Sequence, residues 1–435
     1  MIEMNIQRNG VISFMKKNTE IIAIILILFS GCAPWFIWGY IPTIYVGIIG
    51  GCLLLLTSLV KIKNELEIKN VYEIKNVFKT KVKSVFNDGR QTNIALALLL
   101  YFFYFILFQL VRWGDLFGSS IYLIVALILV VGVTDDTKKI AYDKFSKVMG
   151  MMVLISLVAW LTHKYVFEIP TISVFDVSAT KGQVAGTTLM KNHFFFVTYF
   201  DRTDRFYGVF DEPGVLGTIG ALLLYVNRYD FRKWYNIALL AGGIPTLSLA
   251  FYLLTIIGMF FVYSRKIISM FLVHSRKARD IIVSVLIIVI VGLAAYFVLW
   301  NNAEFQQHIV HRLSSSDGIL SLINDREVQY IRDNFNTMLE HPLTMLFGYG
   351  NNSQIGAGTS VSYMRWLLQY GFVGFSVMCF FVMTFLKNFN ITTVGFFVLW
   401  MLAFSQRPNI FSAAYMVLIV VLVPKLNQLP KPGEK

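Results

Sequence analysis

The sequence predicts an all-α polytopic membrane protein of about 12 transmembrane helices, with one large and one medium outward loop and both ends in the cytoplasm. Three observations predict it. Of the 435 residues, 56% are hydrophobic and only 14% are charged, too few polar groups to cover a soluble surface. The apolar residues gather into runs of about 20, the length that spans the hydrocarbon core. Segments assigned to the inner side hold 27 of the 38 Lys and Arg residues, the bias that orients a polytopic chain. The same placement accounts for the formal charge of +13. The cations flank spans, so no nucleic-acid partner is expected.

In order, spans are expected at roughly 21–40, 42–60, 93–111, 119–134, 148–166, 212–227, 234–247, 248–264, 281–300, 360–383, 390–404 and 410–424. The polar, basic N-terminus lacks a small-x-small cleavage site after its apolar run, which therefore reads as a retained helix. Residues 61–92 alternate Lys with Ile, Val and Phe. They read as a basic cytoplasmic loop, with an amphipathic helix on the inner leaflet as the alternative. The stretch from Trp234 to Ser264 is long for one span and short for two. Gly242, Gly243 and Pro245 interrupt it, and proline removes a helical hydrogen bond. A hairpin or a broken helix is expected, with the bend near Thr246, Leu247 and Ser248. Backbone irregular at that depth must be buried in protein or line a watery cavity.

The whole chain, 1–435, reads as a single integral membrane domain. Its long outward loops cover 167–211 and 301–359, and such loops are where sites tend to sit. Cys32, Cys52 and Cys379 all fall in apolar runs without metal-like spacing, so neither a disulfide framework nor a metal site is expected.

The two basic residue types are distributed unequally. On the inner side 7 of 27 are Arg, whereas on the outer side 8 of 11 are: Arg112, Arg202, Arg205, Arg312, Arg326, Arg332, Arg365 and Arg407. Orientation needs positive charge inside and accepts either residue, so it does not explain Arg outside. A planar guanidinium fits phosphate oxygens bidentately, which points to an anionic ligand carrying phosphate or carboxylate. Pairing of each Arg with a nearby carboxylate or lipid phosphate is the plainer alternative.

Two local patterns stand out. The first runs from Arg205 through Gly208, Phe210, Asp211, Glu212 and Pro213 to Gly217, and reads as an exposed basic segment entering a helix. Pro213 suits a first turn and the two acids suit a helix N-terminus. The second begins at Asn324, Asp325 and Arg326 and continues through His341, Pro342, Gly348 and Gly350 to Tyr363, Arg365, Gly371 and Gly374. Gly348 and Gly350 suggest a tight turn or a close backbone approach to a ligand. Gly371 and Gly374 suggest helix packing. Arg365, about one turn inside a span, is a costly position for a cation and hence a functional candidate.

Together these patterns resemble the O-antigen polymerase and ligase superfamily of membrane glycosyltransferases, over roughly residues 200–375. The matching residues are Arg205, Gly208 and Pro213, then Arg326, Pro342, Gly348, Gly350, Tyr363, Gly371 and Gly374. Ligases of the superfamily carry a His-Asn pair shortly before the Tyr. Ser360 and Val361 stand there instead, which favours the O-antigen polymerase family. The resemblance implies a bacterial inner (plasma) membrane enzyme that polymerises polyprenyl-pyrophosphate-linked oligosaccharide repeat units on the outer side. Membrane lipids, a chain-length regulator and a flippase are the implied partners. Arg205 and Arg326 would stabilise the leaving pyrophosphate, helped by Arg332, Arg365 and Arg407. Arg202, Asp211, Gly348, Gly350 and Tyr363 would bind substrate. Glu212, Asp211 and His341 are the candidate general bases. The only Asp-Asp pair, Asp135 and Asp136, lies on the inner side, so the chemistry is expected to be metal-independent and without cofactor. The rival readings are a ligase acting on lipid A core and a flippase or transporter of the same lipid-linked sugar.

Overall fold

The computed structural model describes residues 2–34, 43–67, 89–113, 121–178, 186, 188–200, 205–272, 329–350, 363–386, 390–406 and 413–427. It is mainly helical. Helices α1 (Ile2–Cys32) and α2 (Thr43–Glu67) form a packed pair. Then come α3 (Gly89–Phe102), a π-helical turn at Phe103–Phe108 and α4 (Gln109–Trp113), followed by α5 (Ile121–Val131) and α6 (Asp135–Tyr165). After the segment that links it to the next helices follow α7 (Pro213–Val226), α8 (Trp234–Gly243) and α9 (Leu249–Leu272). The last described elements are α10 (Gln329–Glu340), α11 (Pro342–Phe347), α12 (Tyr363–Phe385), α13 (Ile391–Gln406) and α14 (Ala413–Asn427).

Helices thus stand at every expected span except 281–300, which lies outside the described residues. Among the described residues, three helices are long and apolar enough to cross a membrane: Gln91–Arg112, Asp135–Tyr165 and Tyr363–Phe385. Several helix boundaries differ from the apolar runs: α2 runs on to Glu67, into the segment expected as a basic loop, and α9 runs on to Leu272. Helix α1 starts at Ile2 and stops at Cys32, and α6 starts at Asp135, absorbing the basic stretch expected as an inner connection. Thr134 explains the second start. Its hydroxyl accepts from the Thr137 N–H, and Asp135 and Asp136 occupy the first turn, where the helix dipole favours acids.

Helices α7 and α14 form the middle of the bundle. Every residue of α7 from Leu216 to Val226, and every residue of α14 from Met416 to Val423, is buried, the mark of a helix apolar on all sides. The outer helices instead expose large apolar side chains, among them Leu55, Leu56 and Leu59 on α2, Leu96 and Leu99 on α3, and Leu154 and Val158 on α6. Large apolar side chains exposed on several helices suit lipid rather than water. Lys425 on α14 pairs with Asp143 on α6 at 2.8 Å. All three cysteines are free.

The expectation of a purely helical chain needs one correction. The 167–211 segment contains an antiparallel three-stranded meander, β1 (Ser173–Asp176), β2 (Leu189–Asn192) and β3 (Val197–Tyr199), with Ser173 opposite Asn192 and Asn192 opposite Val197. Strands of three or four residues carry too little alternation to be read beside longer apolar runs. Two histidines fasten the sheet to the end of α6. Nδ1 of His163 accepts from the Ile169 N–H at 2.9 Å. His193 is buried, stacks on Phe196 at 4.5 Å, and contacts the Ile169 carbonyl through Nδ1 and the Thr198 hydroxyl through Nε2, both at 3.0 Å. A carbonyl only accepts, so Nδ1 carries the proton and Nε2 accepts from Thr198. Burial holds the His193 pKa below its usual value. At the sheet's tip, Asp176 accepts from the Ser178 hydroxyl, the Ser178 N–H and the Gly186 N–H. These bonds, the hydroxyl's first, lower its pKa.

Candidate functional site: two interrupted helices

Both sequence patterns prove to be parts of helix interruptions. The first lies between α8 and α9. After Gly243 the chain makes one 3₁₀ turn at Ile244–Thr246 and places Leu247 in the left-handed region, φ 48° and ψ 38°. Helix α9 then starts at Leu249. Pro245 prevents the α-helix from continuing, so the broken helix expected there is present. Interrupting a helix orphans its last carbonyls, and here the carbonyls from Gly243 to Leu247 all find donors. The Thr246 hydroxyl donates to the Gly243 carbonyl at 2.5 Å. Tyr252 donates to the Ile244 carbonyl at 2.7 Å. The Phe206 N–H donates to the Pro245 carbonyl at 3.0 Å. Arg205 supplies the remaining two bonds, Nε to the Thr246 carbonyl and Nη2 to the Leu247 carbonyl, each 3.1 Å.

The first motif is therefore a strap across the break, and the expectation of an exposed segment is corrected. Arg205 is half-buried, whereas Phe206, Tyr207, Val209 and Phe210 are buried. Their aromatic and branched side chains find cover against neighbouring elements; the Phe206 ring lies 5.5 Å from that of Trp160 on α6. The sheet holds the strap from the other side. The Val197 N–H donates to the Gly208 carbonyl at 2.9 Å, and the Tyr199 hydroxyl donates to the Asp211 carbonyl at 2.7 Å. The strap then enters α7 as read from sequence: Glu212 is the N-cap residue and Pro213 the first helical residue. The Glu212 side chain makes no capping bond. Asp211 and Glu212 are both half-buried, beside buried Pro213 and Gly214. Gly217, one turn in, packs against Ser248 and Phe251 of the break.

The second pattern interrupts α12. Gly371 stands within it at φ 63° and ψ −175°, outside helical geometry. The Gly348–Gly350 turn supplies what the break lacks. The Tyr349 N–H donates to the Leu368 carbonyl at 2.6 Å and the Gly350 N–H to the Gln369 carbonyl at 3.0 Å. The Tyr370 carbonyl accepts from the Tyr104 hydroxyl, which reaches over from the π-helical turn. A β-carbon on Gly348 would collide with the Gln369 carbonyl, and one on Gly371 with the Leu346 carbonyl. Both residues also have positive φ, a conformation that favours glycine. The close approach expected at Gly348 and Gly350 is thus to another stretch of backbone. Gly371, read from sequence as a packing residue, is the break itself. Gly374 does pack: a β-carbon there would crowd the side chains of Tyr104 and Tyr370.

The remaining candidates take up positions around this second break. Tyr363 and Arg365 are half-buried in the first turn of α12. Arg332 is half-buried on α10, whose buried Ile331 and Met338 pack against Leu368. His341 is exposed at the N-cap of α11 and makes no side-chain capping bond. Arg202, Arg326 and Arg407 lie outside the described residues.

Sequence reading missed several residues that build these sites. Tyr104 and Tyr252 supply hydroxyls to carbonyls at the two breaks, and a tyrosine in an apolar run gives no signal of that. Arg112 belonged to the outward arginine set without an assigned role. Its guanidinium lies 5.1 Å from the ring of Phe347, next to Gly348, and 5.7 Å from that of Phe108, within cation–π reach. Buried Gln109 follows the π-helical turn with neither amide atom hydrogen-bonded; such turns recur at functional sites. No family model, curated protein or solved structure matches the chain.

Proposed function

We propose that the chain is a membrane glycosyltransferase that polymerises polyprenyl-pyrophosphate-linked oligosaccharide repeat units on the outer face of a bacterial inner membrane. In this reading it crosses the bilayer about 12 times, with both ends in the cytoplasm. The observation that carries the proposal is the seat of Arg205. Two backbone carbonyls fix its guanidinium at a helix interruption, on a strap that leads within seven residues to Glu212 and the start of α7. A cation fixed by the fold stabilises developing negative charge without reorganising when the reaction occurs. The resemblance of the second motif, and its assembly into an interruption of similar construction, support the same reading.

The chemistry follows. A hydroxyl of the incoming lipid-linked repeat attacks the anomeric carbon of the growing glycan. The carbon–oxygen bond to pyrophosphate breaks, and polyprenyl pyrophosphate departs with the electron pair. The hydroxyl proton goes to a base, for which Glu212 is the candidate on the same strap. Arg205 and Arg326 meet the charge on the leaving group, with Arg332, Arg365 and Arg407 as helpers.

The test uses purified protein in lipid nanodiscs with a polyprenyl-pyrophosphate-linked repeat unit alone. A ladder of longer glycans, with free polyprenyl pyrophosphate released, is expected. Intact substrate over folded protein overturns the polymerase reading. Glycan transfer on adding lipid A core then identifies a ligase, and movement of the substrate between leaflets identifies a transporter. Interrupted helices are also a transporter feature, which gives that last arm its place.

A further inference from the structure

A cavity of about 250 Å³ opens at the other end of the bundle, where α3 and α6 begin and α5, α12 and α14 end. Along the 31-residue helix α6, Lys138 at the cavity and Trp160 against the strap's Phe206 are 22 residues apart, about 33 Å at 1.5 Å per residue, so the cavity is no part of the site described above. One part of its wall is apolar, formed by Ile94, Phe385 and Val423; another is polar, formed by Gln91, Thr134, Asp135 and Lys138.

Lys138 is 4% exposed, an unusual position for a lysine. Its ammonium donates to the Val131 carbonyl at 3.0 Å and stands 3.7 Å from an Asp135 oxygen. That second distance is too long for a direct hydrogen bond. The Asp135 side chain is itself 55% exposed. The wall therefore presents a cation and an anion side by side, with no net charge, beside an apolar surface and at one end of a helix long enough to span a membrane.

We propose that this cavity binds the headgroup of a zwitterionic phospholipid with a primary ammonium, as in phosphatidylethanolamine. The phosphate lies toward Lys138 and Thr134, the ammonium toward Asp135, and the glycerol and first acyl carbons toward Ile94, Phe385 and Val423. A primary ammonium donates hydrogen bonds to a carboxylate, whereas a quaternary choline cannot. An anionic headgroup without an ammonium would meet the unbalanced charge of Asp135. On the orientation proposed above the lipid belongs to the inner leaflet, but the headgroup chemistry does not depend on that assignment.

The test is native mass spectrometry and thermal unfolding of the delipidated full-length protein in detergent. The probes are phosphatidylethanolamine, phosphatidylcholine, phosphatidylglycerol and inorganic phosphate, each alone. Phosphatidylethanolamine is expected to stay bound and raise the unfolding temperature, with phosphatidylcholine retained about tenfold less, the worth of about one charged hydrogen bond. Lys138→Met should weaken retention of both lipids, whose phosphate is the same, and Asp135→Asn should abolish the difference between them. Gln91 is exposed at the start of α3, so Gln91→Trp fills the cavity mouth without disturbing the core and should remove binding even if Lys138→Met fails to fold. Asp135→Asn should shift preference toward phosphatidylglycerol. Equal retention of the ethanolamine and choline lipids, binding untouched by Gln91→Trp, or equal stabilisation by inorganic phosphate would each overturn the proposal.

Discussion

Replacing Arg205 with Lys separates the bracing role that the structure shows from the catalytic role proposed for the same side chain. The guanidinium closes the α8–α9 interruption through two bonds of 3.1 Å to the Thr246 and Leu247 carbonyls, and it is the cation proposed to meet pyrophosphate. A hydrogen bond to a charged group contributes about 1.5–3 kcal/mol, and a buried acceptor left unsatisfied costs about 1–3 kcal/mol. Arg205 is half-buried, so water at the strap takes over part of either loss. Lysine keeps the charge but cannot reproduce the planar fork. It can hold one carbonyl well, leaving a net destabilisation of about 1–2 kcal/mol. Arg205→Ala gives up both bonds and should cost about 2–4 kcal/mol after the same discount. Thermal unfolding in nanodiscs reads the first role, and the glycan-ladder assay, run well below the unfolding transition, reads the second. The expected result is a modestly lowered unfolding temperature for Lys, a larger drop for Ala, and loss of polymerisation in both. Unchanged stability in both variants would refute the bracing argument. Full activity of folded Arg205→Lys and Arg326→Lys would refute the phosphate-clamp argument.

Gly348→Ala should abolish correctly folded protein, because the added methyl meets the Gln369 carbonyl at a positive φ; a monodisperse size-exclusion peak at wild-type yield would contradict this. Tyr104→Phe leaves the Tyr370 carbonyl without its hydroxyl donor and should cost about 1–3 kcal/mol, measured as a lowered unfolding temperature with the π-helical turn otherwise intact. The depressed His193 pKa gives a signed pH effect. The unfolded chain binds the proton first, so this contribution is complete above about pH 6.5 and is lost as pH falls through the lower folded value. His193→Gln should flatten that slope in thermal scans; an unchanged slope would remove His193 as its source.

Much of the architecture was legible before any coordinate. The lengths of the apolar runs place the helices because each run must satisfy its own backbone where water is absent. Pro245 marks the break after α8, and Pro213 the start of α7, because a residue without an N–H fits only where a helix begins or fails. Residues of both patterns, Arg205 and Gly208 in one and Gly348 and Gly350 in the other, were singled out from sequence.

Their partners were not legible, and the reason is physical. A broken helix announces that carbonyls are orphaned, but not which donor answers them. For Thr246 and Leu247 the donor is an arginine 41 and 42 positions away; for Tyr370 it is a tyrosine 266 positions away. Nothing in the local pattern of Tyr104 distinguishes it from any aromatic residue in an apolar run. The Gly348 close approach was visible, yet only packing decided that the approaching group is the backbone at Gln369. The small sheet was hidden because strands of three and four residues owe their existence to pairing with one another and to the end of α6. The sequence by itself determined where helices form and where they must stop, since those are properties of each segment's own backbone. Which distant groups satisfy the stops was decided by the tertiary structure alone, because that depends on contacts between segments that no local pattern encodes.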